Sequence, residues 1–315
     1  MKFNTTYVTR FSDLTLLITL GIIWGTGYSI ARYATTHGVS PLGYSFWQSL
    51  GPALLISAFA FQQKSSGQMS FSILFYYIIC GMTAIAIPNT TMYFAAPHLP
   101  ASILAMVVNT VPVMVYPLAL IAGLETFSWQ RCAGVSFAIL ALTLIILPTS
   151  SLPTPTMIPW VLFSLITPLS FAMCSIFIAK VRIPQQNSRV LAAGMLIAST
   201  LLLLPLVMST NSFYLIHYPL TFPDWIILLE IILSSLGYIL YFKLIKKAGP
   251  VYYSLVDSIV VITGIFWGYV IFGEQLNAWT FLVALFILIA LLLVTQQQRR
   301  EKLTSSVYNK ATTTI

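Results

Sequence analysis

Charge is what this chain has least of. Only 7% of its residues are Asp, Glu, Lys or Arg, against 58% hydrophobic, and its mean hydropathy is +0.90. A water-soluble domain carries about 25% charged residues, so this composition has too little charge to cover a soluble surface. Cysteine is scarce too. Cys80, Cys132 and Cys174 fall in or beside apolar runs, and their odd number gives neither a disulfide framework nor metal-ligand spacing. His37, His98 and His217 stand singly, which argues against a His-built metal centre or triad. No nucleotide-binding loop and no soluble ATPase segment is visible, so no cofactor is expected and no enzyme is indicated.

What the chain does have is long apolar runs. A bilayer core is crossed by about 20 residues of helix. Ten such runs are predicted, at roughly 12–33, 43–62, 72–95, 100–122, 130–149, 158–180, 189–209, 225–245, 250–272 and 278–296. The fold expected is an all-α integral membrane protein. With the N-terminus inside, every Lys and Arg except Arg32 falls on the inner side: Lys2, Arg10, Lys64, Arg131, Lys180, Arg182, Arg189, Lys243, Lys246, Lys247, Arg299, Arg300, Lys302 and Lys310. An arbitrary topology would split them evenly, so this bias supports the number, order and orientation of the spans together. The net charge of +8 then reads as orientation and lipid-headgroup contact, not nucleic-acid binding. The first run is as long as a full span and lacks a small-residue cleavage site, so it is expected to be retained. A bacterial cytoplasmic (inner) membrane is the expected location, with both termini and the basic tail 297–315 cytoplasmic.

Trp129, Trp160, Trp225 and Trp279 sit at predicted span starts, where an amphipathic indole anchors at the interface. Trp24, Trp47 and Trp267 lie deeper. The segment Pro148–Pro155 is polar, uncharged and proline-rich, as a linker is. It separates two five-span halves, 12–149 and 158–296. The halves resemble each other: Val107-Val108-Asn109-Thr110-Val111-Pro112-Val113 aligns with Leu255-Val256-Asp257-Ser258-Ile259-Val260-Val261, and Gly123-Leu124-Glu125 with Gly273-Glu274. An odd span count per repeat makes the second copy enter from the opposite face, giving an inverted repeat.

The run Tyr93, Pro100-Ala101-Ser102, Pro112 and Gly123-Leu124-Glu125 resembles the EamA-type repeat of the drug/metabolite transporter superfamily. So do Ile22-Ile23-Trp24-Gly25-Thr26 in the first span and Gly249-Pro250, Gly264, Gly268 and Phe272-Gly273-Glu274 in the second half. The resemblance covers nearly the whole chain except the tail. It implies spans one to four and six to nine around a central cavity, with five and ten outside, in a monomer or a homodimer. One departure stands out: Gln48 follows Phe46-Trp47 where a basic residue is expected, which puts any ligand-carboxylate contact there in doubt.

An ionisable group at the bilayer centre costs about 2.5–3.5 kcal/mol on insertion scales, so the acids within spans are the first candidates. Asp257 lies about seven residues into span nine, near Tyr253, Ser254 and Ser258, and is suited to take up a proton or to bind an ammonium; the alternative is a polar residue that pins helix packing. Its repeat mate is Asn109. Glu230 begins a row with Ser234, Tyr238 and Tyr241 on one face of span eight, a candidate cavity wall; snorkelling to the interface is the competing reading. Asn89 and Tyr93 pair at i, i+4 on span three. Trp24 and Gln48 complete the candidate path. Gly21 and Gly25 suit close helix contact, Pro112 and Pro168 suit kinks, and Glu125 and Glu274 suit caps of spans five and ten. The function expected is secondary transport of a small organic metabolite such as an amino acid, with export first, by alternating access, and protons as the candidate coupling ion. Uptake by the same fold, a membrane-embedded lipid enzyme and a sensor are the alternatives.

Overall fold

Ten helices account for nearly all of the described chain. The computed structural model describes residues 5–60, 70–146, 154–181, 188–248, 253, 255–275 and 277–294. Lys2, Lys64, Arg182, Ser254, Gly249-Pro250, most of the 148–155 linker and the tail 297–315, with its basic cluster, lie outside these residues, as do the side chains of Arg10, Lys246 and Lys247. The helices are α1 (Thr5–Thr36), α2 (Pro41–Ala60), α3 (Phe71–Ala95), α4 (Ala101–Ile121), α5 (Trp129–Ile146), α6 (Pro155–Lys180), α7 (Ser188–Ser209), α8 (Phe222–Ala248), α9 (Val256–Phe272) and α10 (Ala278–Val294). There is no strand among the described residues. Seven of the helices are long and apolar enough to cross a bilayer: α1 from Asp13, α3 to α7, and α8 to Tyr241. Apolar α9 and α10 are shorter, and α2 has 20 residues. Large hydrophobic side chains point outward all round, among them Leu54, Phe75, Ile139, Leu201, Ile232 and Phe281. Such a surface is stable only against lipid.

Three helices are interrupted, each close to a proline. α3 carries a π-helical turn at Met82–Ala86 just before Pro88. α4 breaks at Asn109-Thr110, with Pro112 at the second position of the following segment. α6 breaks at Leu165, ahead of Pro168. A proline supplies no N–H to the carbonyl four residues back and crowds it, so the preceding turn widens or opens. Pro52, Pro117 and Pro205 sit inside helices without such a break.

The helices pack in a pattern that survives exchange of the two halves. α1 lies on α9 and α8; correspondingly, α6 lies on α4 and α3. α2 lies on α8 as α7 lies on α3, while the contacts α2–α7 and α4–α9 map onto themselves. α5 and α10 meet through Ala138, Ala290 and Val294, with Val113 of α4 in the same cluster. The glycine spacing in α1 serves packing: a Cβ at Gly25 would fall 2.5 Å from Thr263 Cβ, and one at Gly21 2.6 Å from Ile259. Only hydrogen there lets α1 and α9 approach this closely.

The two motif glutamates do not cap α5 and α10. Glu274 accepts hydrogen bonds from the Ala101 amide, from the Ser102 amide at 3.2 Å and from the Ser102 hydroxyl, and it pairs with Arg32. It therefore satisfies the free amides of α4, a helix of the other half. Arg32 also lies 4.4 Å over the Phe272 ring. The cap of α10 is Asn277, whose Oδ1 accepts from the Thr280 amide at 2.8 Å. Glu125 instead pairs at 2.7 Å with Arg131, which is fully buried in α5. Near the start of α5 it is Ser128 that accepts from the Arg131 amide, at 3.5 Å. Adjacency in sequence to a helix start did not identify the caps, because the carboxylates reach across to other partners. Trp129, Trp225 and Trp279 are exposed, as anchors are, but Trp160 is stacked 3.7 Å from the His98 ring. Partial desolvation pushes the His98 imidazole, otherwise exposed, below its ordinary pKa.

Candidate functional site

Two polar clusters occupy the interior, one around each membrane acid. The first is a chain of side-chain hydrogen bonds through three helices. Asn89 Nδ2 on α3 donates to Gln48 Oε1 on α2 at 2.6 Å. Gln48 Nε2 donates to Ser234 Oγ on α8 at 2.9 Å, and Ser234 Oγ donates to Glu230 Oε1 at 2.8 Å. Every donor points toward the carboxylate, so the bonds polarise one another in its favour. Glu230 is only 7% exposed, which removes the snorkelling reading; its Oε2 has no hydrogen-bond partner among the described residues. Gly27 of α1 faces this carboxylate: a Cβ there would lie 3.6 Å from Oε1. Tyr44, Tyr93 and Tyr238 lie within its electrostatic reach. Tyr93 packs edge-on against Tyr44 at 4.6 Å, and the Tyr44 hydroxyl is another buried group with no partner found among the described residues. Tyr238 rests against the apolar cluster of Ala53, Ile85 and Leu196.

The second cluster is aromatic. Trp24 of α1, Tyr241 of α8 and Tyr253 just before α9 are in mutual contact, with ring centroids 5.7 Å, 5.9 Å and 4.8 Å apart. Asp257, in the first turn of α9, lies within electrostatic reach of Tyr241, Tyr253 and Tyr28. The aspartate and all three rings of the cluster keep partial solvent exposure. Asn109, at the break in α4, donates to the Tyr28 hydroxyl at 3.1 Å and to the Ala105 carbonyl at 2.7 Å. Tyr28 is thus bonded to Asn109 and within electrostatic reach of Asp257, with no bond from Asp257 to either among the described residues. Ser258 sits beside Asp257, partly exposed.

Tyr28 and Ser234 tie the two clusters to their neighbours. Ser234 is visible in the sequence as part of the Glu230 row. Tyr28 is not, since nothing in α1 alone says that its hydroxyl meets α4. The deep Trp47 plays a structural part. Its Nε1 donates to the Tyr214 carbonyl at 2.8 Å and holds the 210–221 loop against α2. In that loop Tyr214 donates to Asp224 at 2.9 Å, and burial raises its phenol above the usual value. Among the described residues no three His, Cys, Asp or Glu side chains gather as a metal site.

Comparison with known proteins places this arrangement. The EamA-like transporter family matches residues 12–147 and again 158–296. Two WAT1-related proteins of Arabidopsis thaliana are similar in part. One is 30% identical over 118 residues, covering 34% of this chain and 32% of its own length. The other is 25% identical over 121 residues, covering 36% and 33%. The chain therefore spans about a third of the length of these curated relatives. One solved crystal structure superposes with a TM-score of 0.58 over 92% of this chain and 99% of its own, at 14% identity, a likeness of fold alone. Two successive family matches over an apolar all-helical bundle with interior acids lead to one conclusion: the chain is a multi-pass membrane protein that belongs to the EamA-like transporter family of the drug/metabolite transporter superfamily.

Proposed function

We propose that this protein is a secondary carrier that moves a small organic metabolite across the bacterial cytoplasmic membrane by alternating access. Two inverted five-helix repeats, 12–149 and 158–296, are its moving halves, with both termini and the tail 297–315 cytoplasmic. Packing pairs that persist when the halves are exchanged support the inverted repeat. The observation that carries the reading is Asp257: an acid in an apolar bundle, partly solvent-exposed, within electrostatic reach of Tyr241, Tyr253 and Tyr28, the last of which accepts from Asn109. These residues come from α1, α4, α8 and α9, so both halves contribute to one lining. A packing role would bury the carboxylate against a donor; partial exposure beside aromatic rings suits a solute that comes and goes.

Asp257, Asn109, Tyr253 and Ser258 form the centre, and Glu230, Gln48, Asn89, Tyr93, Tyr238, Tyr241 and Trp24 line the path. Asp257 is the proposed proton-coupling group and export the proposed direction. The test is accumulation of labelled amino acids and related metabolites in proteoliposomes, with and without a pH gradient. Asp257→Asn is expected to abolish gradient-driven accumulation. Unchanged accumulation by this variant would remove the proton role from Asp257.

A further inference from the structure

Resting on the carrier reading, we propose that the solute is an organic cation: an alkylated ammonium or sulfonium head seats against Trp24, Tyr241 and Tyr253, with Asp257 as its counter-charge. The charge inventory comes first. Both interior acids, Asp257 and Glu230, lack an interior base among the described residues. Arg32 is held by Glu274 and Arg131 by Glu125. Lys180, Arg189 and Lys243 are exposed toward helix ends. Gln48, which could have met a carboxylate as a base, is neutral and spends both ends of its amide on Asn89 and Ser234. A solute with net negative charge would meet two carboxylates and, among the described residues, no interior base to balance it.

The aromatic lining narrows the cation. Three rings from two helices and the segment before a third converge within 4.8–5.9 Å of one another, and all keep partial exposure. Ring faces attract cations, by about 0.5–2 kcal/mol each depending on desolvation. An alkylated onium is large, weakly hydrated and needs no hydrogen-bond acceptor, so rings and one carboxylate suffice for it. A bare metal ion needs several convergent ligands, and no three His, Cys, Asp or Glu side chains gather among the described residues. Glu230 adds a second point of recognition. Its buried Oε2 is an open acceptor, and it faces Gly27, three residues along α1 from Trp24. That separation is about 4.5 Å along the helix axis at 1.5 Å per residue. A solute with an N–H or O–H donor one helical turn from its onium group would satisfy both sites.

The experiment uses the full chain in nanodiscs and proteoliposomes with choline and S-methylmethionine as the ammonium and sulfonium probes. Glutamate and 3,3-dimethyl-1-butanol, an uncharged isostere of choline, are the controls. Saturable binding of at least one onium probe is expected, with the isostere and glutamate at least about tenfold weaker, a difference of about 1.4 kcal/mol. Asp257→Asn and Trp24→Ala are each expected to lose about tenfold or more, and Trp24→Phe less, all with wild-type thermal unfolding. Equal binding of choline and its isostere, or binding of glutamate alone, overturns the proposal, as does failure of both onium probes to bind. Onium binding without movement in either direction overturns the carrier reading and leaves the cation site standing. Transport of neutral or anionic solutes alone does the reverse.

Discussion

Ser234 stands between two groups that depend on it. Its hydroxyl accepts from Gln48 and donates to Glu230, so Ser234→Ala strands a buried amide hydrogen and a carboxylate oxygen together. Each buried polar group left unpaired costs about 1–3 kcal/mol. The expected outcome is a lower unfolding temperature in detergent and a weaker dependence of transport on Glu230. Glu230→Gln keeps the shape but removes the charge; solute affinity is expected to fall about tenfold or more, by loss of a buried charge-assisted contact, and a normal affinity in a binding assay would contradict a path-lining role. At this scale the sequence was legible where an ionisable residue interrupts an apolar run, because the bilayer makes such a residue expensive. Asp257 and Glu230 stood out for that reason. Tyr28 did not, since a tyrosine is at home in a membrane helix and its bond to Asn109 exists only through the packing of α1 on α4.

Helix contacts depend on what is absent at the close approaches. At Gly25 a methyl group would overlap Thr263; Gly25→Ala is expected to cost about 1–3 kcal/mol by overpacking, seen as a drop in the thermal midpoint, with Gly25→Leu failing to accumulate in the membrane. Arg131 and Glu125 make a different kind of contact. Arg131 is fully buried, and Glu125→Ala removes its carboxylate partner. Glu125 itself is 29% exposed and Arg131 keeps the Tyr116 ring at 5.4 Å, so this variant is expected to lower the thermal midpoint at a cost below the about 3–5 kcal/mol of breaking a wholly buried pair. Neither glutamate was readable as it stands. Both lie a few residues before a helix, which suggests a cap, but Glu274 satisfies α4 and Glu125 satisfies Arg131. Local spacing sees only the nearest helix start, while a carboxylate at a turn can reach any amide or cation that folding brings near. The prolines were more legible: Pro112 and Pro168 both mark breaks, since a missing N–H acts within its own helix.

Across the whole molecule, the apolar runs and the arrangement of charge announced a helical membrane bundle, and ten helices are found among the described residues. Which helices touch was not readable from runs of leucine and valine, which lack direction. The exchange-symmetric packing supplies that. The proposed orientation predicts opposite sides for two exposed positions. In a cysteine-free background, Tyr218→Cys should react with an impermeant maleimide only from outside the cell, and Thr126→Cys only from inside; labelling from the same side would undo the orientation. Alternating access itself is tested most directly at Ser258, partly exposed beside Asp257. A Ser258→Cys variant in sealed vesicles of each orientation should react with an impermeant reagent from either face, with solute shifting the balance between the two. Reaction from one face alone under every condition, or from neither, would contradict a carrier whose central site opens in turn to both sides.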